Sequence, residues 1–238
     1  MLQAILFDLD GTLLPMDNDY FTKYYFKYLA KAAAQWGYTD PEALVKALWI
    51  GVEAMVKNDG SQSNFDAFWD AFGAVLGKDA KADSDKFDSF YGGEFHLAKA
   101  ATGEAPLAKE AVALAHQKAK HVILATNPIF PAAATQKRIR WAGLTPEDFE
   151  LYTTYENSCY CKPNPQYYLE ITKQLDVQPE ECLMVGNDVS DDMVSRDLGM
   201  EVFLLTDCLI NKDNVNIDQF PHGGFDQLSG FLTELLSK

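Results

Sequence analysis

The chain opens on a short apolar run, Ala4-Ile5-Leu6-Phe7, that stops at Asp8-Leu9-Asp10-Gly11-Thr12. A run this short, closed by glycine, predicts a buried strand. From Asp17 to about Phe95 the spacing becomes helical. Tyr20-Phe21, Tyr24-Tyr25 and Tyr28-Leu29 repeat at four, and Phe65, Phe68, Trp69, Phe72, Val75 and Leu76 recur at three and four. Such spacing buries one face of a helix. Punctuation supports it. Asp40-Pro41-Glu42 is a start signal, Asn58-Asp59-Gly60 a stop, and Ser63 caps a segment that ends at Gly77. The aromatic stripe, which holds Trp36, Trp49 and Trp69, reads as the core of a helical bundle. The sharper alternative is that a few of these rings face a substrate.

After Pro106 the pattern alternates. Helix-like stretches (Leu107 to Ala119, Ala132 to Trp141, Pro165 to Leu175, Val189 to Leu198) are separated by apolar runs at Val122-Ala125, Leu151-Thr153, Cys182-Gly186 and Val202-Leu205. A last helix is expected from Phe225 to Leu236. Alternating strands and helices predict an α/β fold with a parallel sheet covered on both faces. Ligands of such sheets bind beyond the carboxyl ends of the strands, so the residues just after each apolar run are the candidates for chemistry.

Four such strand ends stand out. Asp8 and Asp10 are two carboxylates at i and i+2; they can converge on one cation, or divide nucleophile and acid–base roles. Thr126 and Asn127 follow the second run and offer a hydroxyl and an amide to phosphate oxygens. Lys162 lies in Cys161-Lys162-Pro163-Asn164-Pro165, where two prolines hold the backbone out of helix; an inward ammonium would neutralise phosphate. Gly186-Asn187-Asp188-Val189-Ser190-Asp191-Asp192 carries three acids in five residues, which repel one another unless a cation or solvent relieves them. Capping of the following helix is the plainer reading of those acids.

Composition narrows the picture. The formal charge is −15, from 35 acids against 20 bases. A chain this acidic repels the nucleic-acid backbone and anionic lipid. No stretch approaches the roughly 20 apolar residues of a membrane span, and the first residues lack the basic-then-apolar pattern of a secretion signal. A cytoplasmic location is expected. The four cysteines have no zinc-finger spacing and read as reduced thiols.

Taken together, these four strand ends resemble the haloacid dehalogenase-like hydrolase superfamily, in the family's order. Asp8-Leu9-Asp10-Gly11-Thr12 matches its first motif in full, Thr126 the second, Lys162 with Pro163 the third, and Asp188 with Asp192 the acidic fourth. The resemblance implies a Rossmann-like core of residues 1–15 and 105–238, with a helical-bundle cap of residues 16–104 inserted after the first strand. It implies a phosphatase acting on a small phosphorylated metabolite. Asp8 would be the nucleophile that forms an aspartyl-phosphate, and Asp10 the general acid and base. Thr126, Asn127 and Lys162 would bind phosphate, and Mg²⁺ would be held by Asp8, the Asp10 carbonyl and Asp188, with Asp192 a further acidic candidate. Many members have Gly-Asp where this chain has Gly186-Asn187-Asp188. Either Asn187 occupies the usual acid position, or Asp188 and Asp192 keep the common spacing of four; Asp188 is the preferred ligand. True dehalogenases of this family lack an acid at the position of Asp10. A phosphomutase of the same family and a non-catalytic phospho-ligand binding module are the alternatives. Lys23, Lys57 and Asn58 are polar cap residues with a possible view of the site. The sequence identifies neither the substrate nor the oligomeric state.

Overall fold

The computed structural model describes residues 2–235. Its centre is a six-stranded, wholly parallel sheet of β1 (Ala4–Phe7), β2 (His121–Leu124), β3 (Leu151–Tyr152), β4 (Cys182–Gly186), β5 (Glu201–Leu205) and β6 (His222–Gly223), in the order β3-β2-β1-β4-β5-β6. Because successive side chains point to opposite faces, each strand feeds two cores. Ile5, Phe7, Val122, Leu124, Leu183 and Val185 pack beneath α5 (Pro106–Lys118) and α8 (Phe225–Leu235). Ala4, Leu6, Ile123, Cys182 and Met184 face the other way, toward Tyr167, Tyr168 and Ile171 of α7 (Pro165–Leu175). Burial on both faces explains why the strands read as continuous apolar runs. The helix expected to end at Leu236 runs to Leu235, and Leu236 lies outside the described residues.

Register decides where the chemistry sits. Phe7 lies opposite both Leu124 and Val185. Asp8 N–H donates to Val185 O and Ala125 N–H to Phe7 O. The chain therefore leaves β1, β2 and β4 at one level, and strand order reverses across β1, where open α/β sheets form their crevice.

Between β1 and α5 the chain builds α1 (Asn18–Ala34), α2 (Pro41–Val56), α3 (Asn64–Leu76), α4 (Ser84–Gly92) and a 3₁₀ segment, Glu94–Ala101. The expected punctuation is present. Asp40 accepts from Glu42 and Ala43 N–H with Pro41 opening the helix, Ser63 accepts from Asp66 N–H, and Gly77 ends α3 at φ 65°. The insert has an aromatic core around Trp69, Phe72, Phe87 and Phe90. Its two ends are clamped together: Met16 bridges Thr102, Asp17 N–H donates to Ala101 O, and Gly103 N–H to Pro15 O. Its far side is tied to the sheet's loops through α3. Asn64 N–H donates to Ser158 O and Phe65 N–H to Tyr155 O, while the Asn64 amide reaches Tyr160 O and Cys161 Sγ.

One expectation fails, and one strand forms that no pattern in the sequence announces. No α-helix spans Val189–Leu198; turns lead into a 3₁₀ segment, Met193–Leu198. Asp188 accepts from Ser190 and Asp191 N–H, and Asp192 from Asp188 N–H, so acid side chains take amides that a regular helix would leave to caps or ladder. The strand β6 has no apolar run and exists through pairing with Leu204 and Leu205.

Candidate active site

Asp8 is buried, and both its carboxylate oxygens have partners. Oδ1 accepts from Lys162 Nζ at 2.9 Å, and Oδ2 lies 3.2 Å from the Thr12 hydroxyl, which also reaches Asn187 Oδ1 at 3.0 Å. The tight loop after β1 allows this. Gly11 N–H donates to Leu14 O, and both Thr12 and Leu14 N–H donate to Leu9 O. Gly11 sits at φ 90°, and a Cβ there would stand 2.3 Å from Asn187 Nδ2. Glycine is needed for the turn and for the close approach of the fourth-motif loop.

Lys162 is 2 % exposed and also donates to Asp192 Oδ1 at 2.6 Å. Burial works against its charge, but the carboxylates of Asp192 and Asp8 overcome that, and its pKa stands well above the ordinary range. The segment is held from both sides. Asn164 caps α7 with Pro165 in its first turn, and Asn64 grips Tyr160 and Cys161 from the insert. Asp192 is fully committed: Oδ1 to Lys162, Oδ2 to Asp188 N–H at 2.9 Å. Burial raises its pKa against the pull of Lys162. A Cβ on Gly186 would meet this carboxylate at 2.1 Å, so glycine there makes its room.

Asp10 is in a different setting. One oxygen pairs with Arg138 of α6 (Ala132–Trp141), and the other, Oδ1, is buried with no hydrogen-bond partner. Burial pushes its pKa up to about 6, Arg138 pulls it down, and Asp8 pushes it up again. Arg138 is 1 % exposed, stacks on Phe130 with its guanidinium carbon 4.4 Å from the ring centroid, and donates to Thr135 Oγ1.

The remaining candidates converge on the same place. Asp8, Asp10, Thr126, Asn127, Lys162 and Asp188 line one cavity of about 230 Å³, together with Asp192 and Asn18 of α1. Thr126 is fixed through its carbonyl, which accepts from Thr153 Oγ1 and Tyr167 OH. Asn127 Oδ1 is buried without a partner. Asn187 donates to Cys208 O and accepts from Thr12, so its amide braces the first loop, and it lines the cavity beside Asp188 and Asp191. Lys23 and Lys57 are exposed, and Asn58 is spent on Gln62 O and Asn64 Oδ1.

Sequence reading missed Arg138, Thr12, Asn18 and the bracing role of Asn187. Arg138 left a signal. Ala134, Thr135, Arg138 and Ile139 form one helical stripe, all buried, whereas Arg140 is exposed. A cation in the middle of a buried stripe requires a partner.

A magnesium site is compatible with this donor set. Among the described residues no three histidine, cysteine or acid side chains converge as a metal cage. Magnesium needs none, because it takes hard oxygens from one or two carboxylates and keeps several waters. Asp8 and Asp188 line the cavity and would offer carboxylate oxygens, with the Asp10 carbonyl as a further donor, and Asp10 Oδ1 is buried without a hydrogen-bond partner.

Comparison with known proteins bears on the family and the fold. A segment of this chain is 34 % identical over 59 residues to "Putative phosphatase YhcW" of Bacillus subtilis (strain 168), a match covering 25 % of this chain and 27 % of that protein. The fold is similar to that of a HAD phosphatase from Thermococcus onnurineus (TM-score 0.56, 18 % identity, 97 % and 98 % of the two chains). It is also similar to a 2-haloacid dehalogenase from Pseudomonas syringae pv. Tomato DC3000 (0.62, 17 %, 99 % and 100 %). A third likeness is to the "putative HAD-hydrolase YfnB" of Bacillus subtilis bound to magnesium (0.53, 17 %, 97 % and 98 %). The model of the haloacid dehalogenase-like hydrolase family matches residues 2–195, and the chain belongs to that family.

Proposed function

We propose that this hydrolase is a magnesium-dependent phosphatase that cleaves small phosphate monoesters through an aspartyl-phosphate on Asp8. Residues 1–15 and 105–238 form its catalytic core and residues 16–104 its cap. The observation that carries the reading is the contrast between two carboxylates two residues apart. Asp8 is held by a buried ammonium, whereas Asp10 has a pKa pushed up to about 6. The first is prepared as a nucleophile. The second is poised near neutrality, where one group can give a proton and later take one back.

The residues divide the work as follows. An Asp8 oxygen attacks phosphorus, and protonated Asp10 delivers its proton to the departing ester oxygen. Ionised Asp10 then takes a proton from the water that cleaves the aspartyl-phosphate. Lys162, Thr126 and Asn127 bind and orient the phosphoryl oxygens, where developing negative charge needs fixed donors. Asp192 keeps Lys162 charged and aimed. Asp8, the Asp10 carbonyl and Asp188 would hold magnesium, which supplies charge neutralisation at the phosphoryl group when bound. The phosphatase name of one relative and the magnesium of one structural neighbour support this reading. Asp10 favours it over dehalogenation, since a halide leaves without a proton.

Phosphate release from a panel of monoesters, with and without Mg²⁺, tests the proposal. Release should require the metal and fall by about a thousandfold or more in Asp8→Asn. Undiminished release by that variant removes Asp8 as nucleophile.

A further inference from the structure

A second cavity of about 270 Å³ lies on the insert side, and Asp10 and Asn18 line both. The phosphoryl site and this chamber therefore meet at the proposed proton donor. Its wall is built from rings of α1 (Phe21, Tyr25, Phe26), Trp49 of α2, and Phe130. Among the described residues, Asp10 is the one lining residue with a carboxylate, ammonium or guanidinium side chain. Four polar tips in the wall are paired with each other, and Asn18, Thr22 and Trp49 carry the others. Tyr25 and Tyr91 share a hydrogen bond of 2.9 Å, and Trp69 Nε1 donates to Tyr155 OH at 3.4 Å. Trp49 is 52 % exposed, which leaves a large apolar surface uncovered beside the chamber.

A leaving group in this chamber must shed its water. A sugar has many hydroxyls and would find only Asn18, Thr22 and Trp49 to replace its water, and a carboxylate would meet no cation among the lining residues. An apolar group gains roughly fourfold in affinity for each methylene buried. An apolar cavity of roughly 150 Å³ accommodates benzene, so this one has room for a ring and its linker.

Resting on the aspartyl-phosphate reading, we infer that the substrates are phosphate monoesters of apolar, uncharged alcohols. The leaving group is an aromatic or branched alkyl body that lies between α1, α2 and Phe130. The phosphate sits against Asp8 and Lys162, and the bridging oxygen sits at Asp10.

The test compares kcat/KM for benzyl and n-hexyl phosphate with that for ethyl phosphate, glycerol 3-phosphate, glucose 6-phosphate and 2-phosphoglycolate, all with Mg²⁺. Benzyl and hexyl esters should exceed ethyl and glycerol esters by about a hundredfold, following the gain per methylene. Val52→Arg, which places a cation in the wall, should reduce that ratio below about ten. Calorimetry with Asp8→Asn gives a readout independent of turnover, and benzylphosphonate should bind at least about thirtyfold more tightly than methylphosphonate. Equal or better use of glycerol 3-phosphate or 2-phosphoglycolate overturns the inference and leaves the phosphatase intact. No Mg²⁺-dependent release from any ester overturns both.

Discussion

At Asp10 the wall of the cleft changes character. On the sheet side Asp8, Lys162 and Asp192 form a chain of buried charges, each held by the next. On the insert side rings pack against rings, and Tyr25 and Tyr91 satisfy each other. The first wall is directional, because buried charges tolerate few geometries. The second is not, because apolar contact scales with area. Chemistry is thus fixed by a few hydrogen bonds at strand ends, and selection is left to a surface that can vary one ring at a time.

The change that breaks this contrast most completely is Asp10→Asn, at the seam between the two walls. It should lower kcat for alkyl esters by about a hundredfold to ten-thousandfold. Hydrolysis of the aspartyl-phosphate is slowed for every ester, but single-turnover release of p-nitrophenolate, which needs no proton, should fall far less than single-turnover release of an alkyl alcohol. Equal single-turnover losses on both esters would remove Asp10 as the acid. Lys162→Met attacks the charged wall alone. It strands Asp8 and Asp192 together, so it should cost about 3–5 kcal/mol of stability. Adding Asp192→Asn should recover part of that in denaturant melts while activity stays low. Full recovery of activity would reduce the pair to a structural role.

Arg138→Met sharpens the comparison at the proton donor. Arg138 holds the Asp10 pKa down against burial, so its removal should raise that pKa. The limb on which kcat falls as pH rises should then move to higher pH. In the wild type, the folded-state pKa of about 6 lies above the ordinary 3.8. The folded protein takes up that proton more readily between these values, so Asp10 costs stability above about pH 6 and the cost fades as pH falls toward 4. An unmoved profile in Arg138→Met would separate Arg138 from proton transfer. The smallest effect is expected far from the cleft. Lys78, Lys86 and Tyr38 hold the Asp83 carboxyl well below the usual range, a contribution that is full above the ordinary 3.8 and is lost as pH falls below it. Asp83→Asn should lower stability by less than about 1 kcal/mol, leave kcat unchanged and matter less in high salt.

The parts of this molecule legible in sequence are those governed by local rules. The run Ala4–Phe7, the Asp40-Pro41 start and the Gly77 stop each carry their own signal, and parallel register brings the ends of β1, β2 and β4 to one level. Asp8, Asp10 and Thr126 could therefore be placed at strand ends, while the role expected of Lys162 rested on its resemblance to the family's third motif. What depends on a distant partner was not legible. The burial of Arg138 depends on an acid 128 positions away, and Asn187 is read as a brace only once Gly11 is seen against it. The lost helix after Val189 has the same origin, since Asp188 and Asp192 serve amides and Lys162 before they serve helical order. Whether an aromatic residue packed or lined a chamber was equally beyond a periodicity, which marks a buried face without saying what buries it.

The clamp at the base of the insert bears on how the sheet assembles. β1 ends at Phe7, and its neighbour β2 begins only at His121. Closing so long a span is entropically unfavourable and slows pairing of the two strands. Once Met16 meets Thr102 and Gly103 meets Pro15, the helices between them drop out of the count. The open chain between β1 and α5 is then only a short connection. Topologically the sheet experiences a whole helical bundle as a modest loop, so the bundle can be lengthened, shortened or exchanged with little consequence for the folding of the strands that carry Asp8.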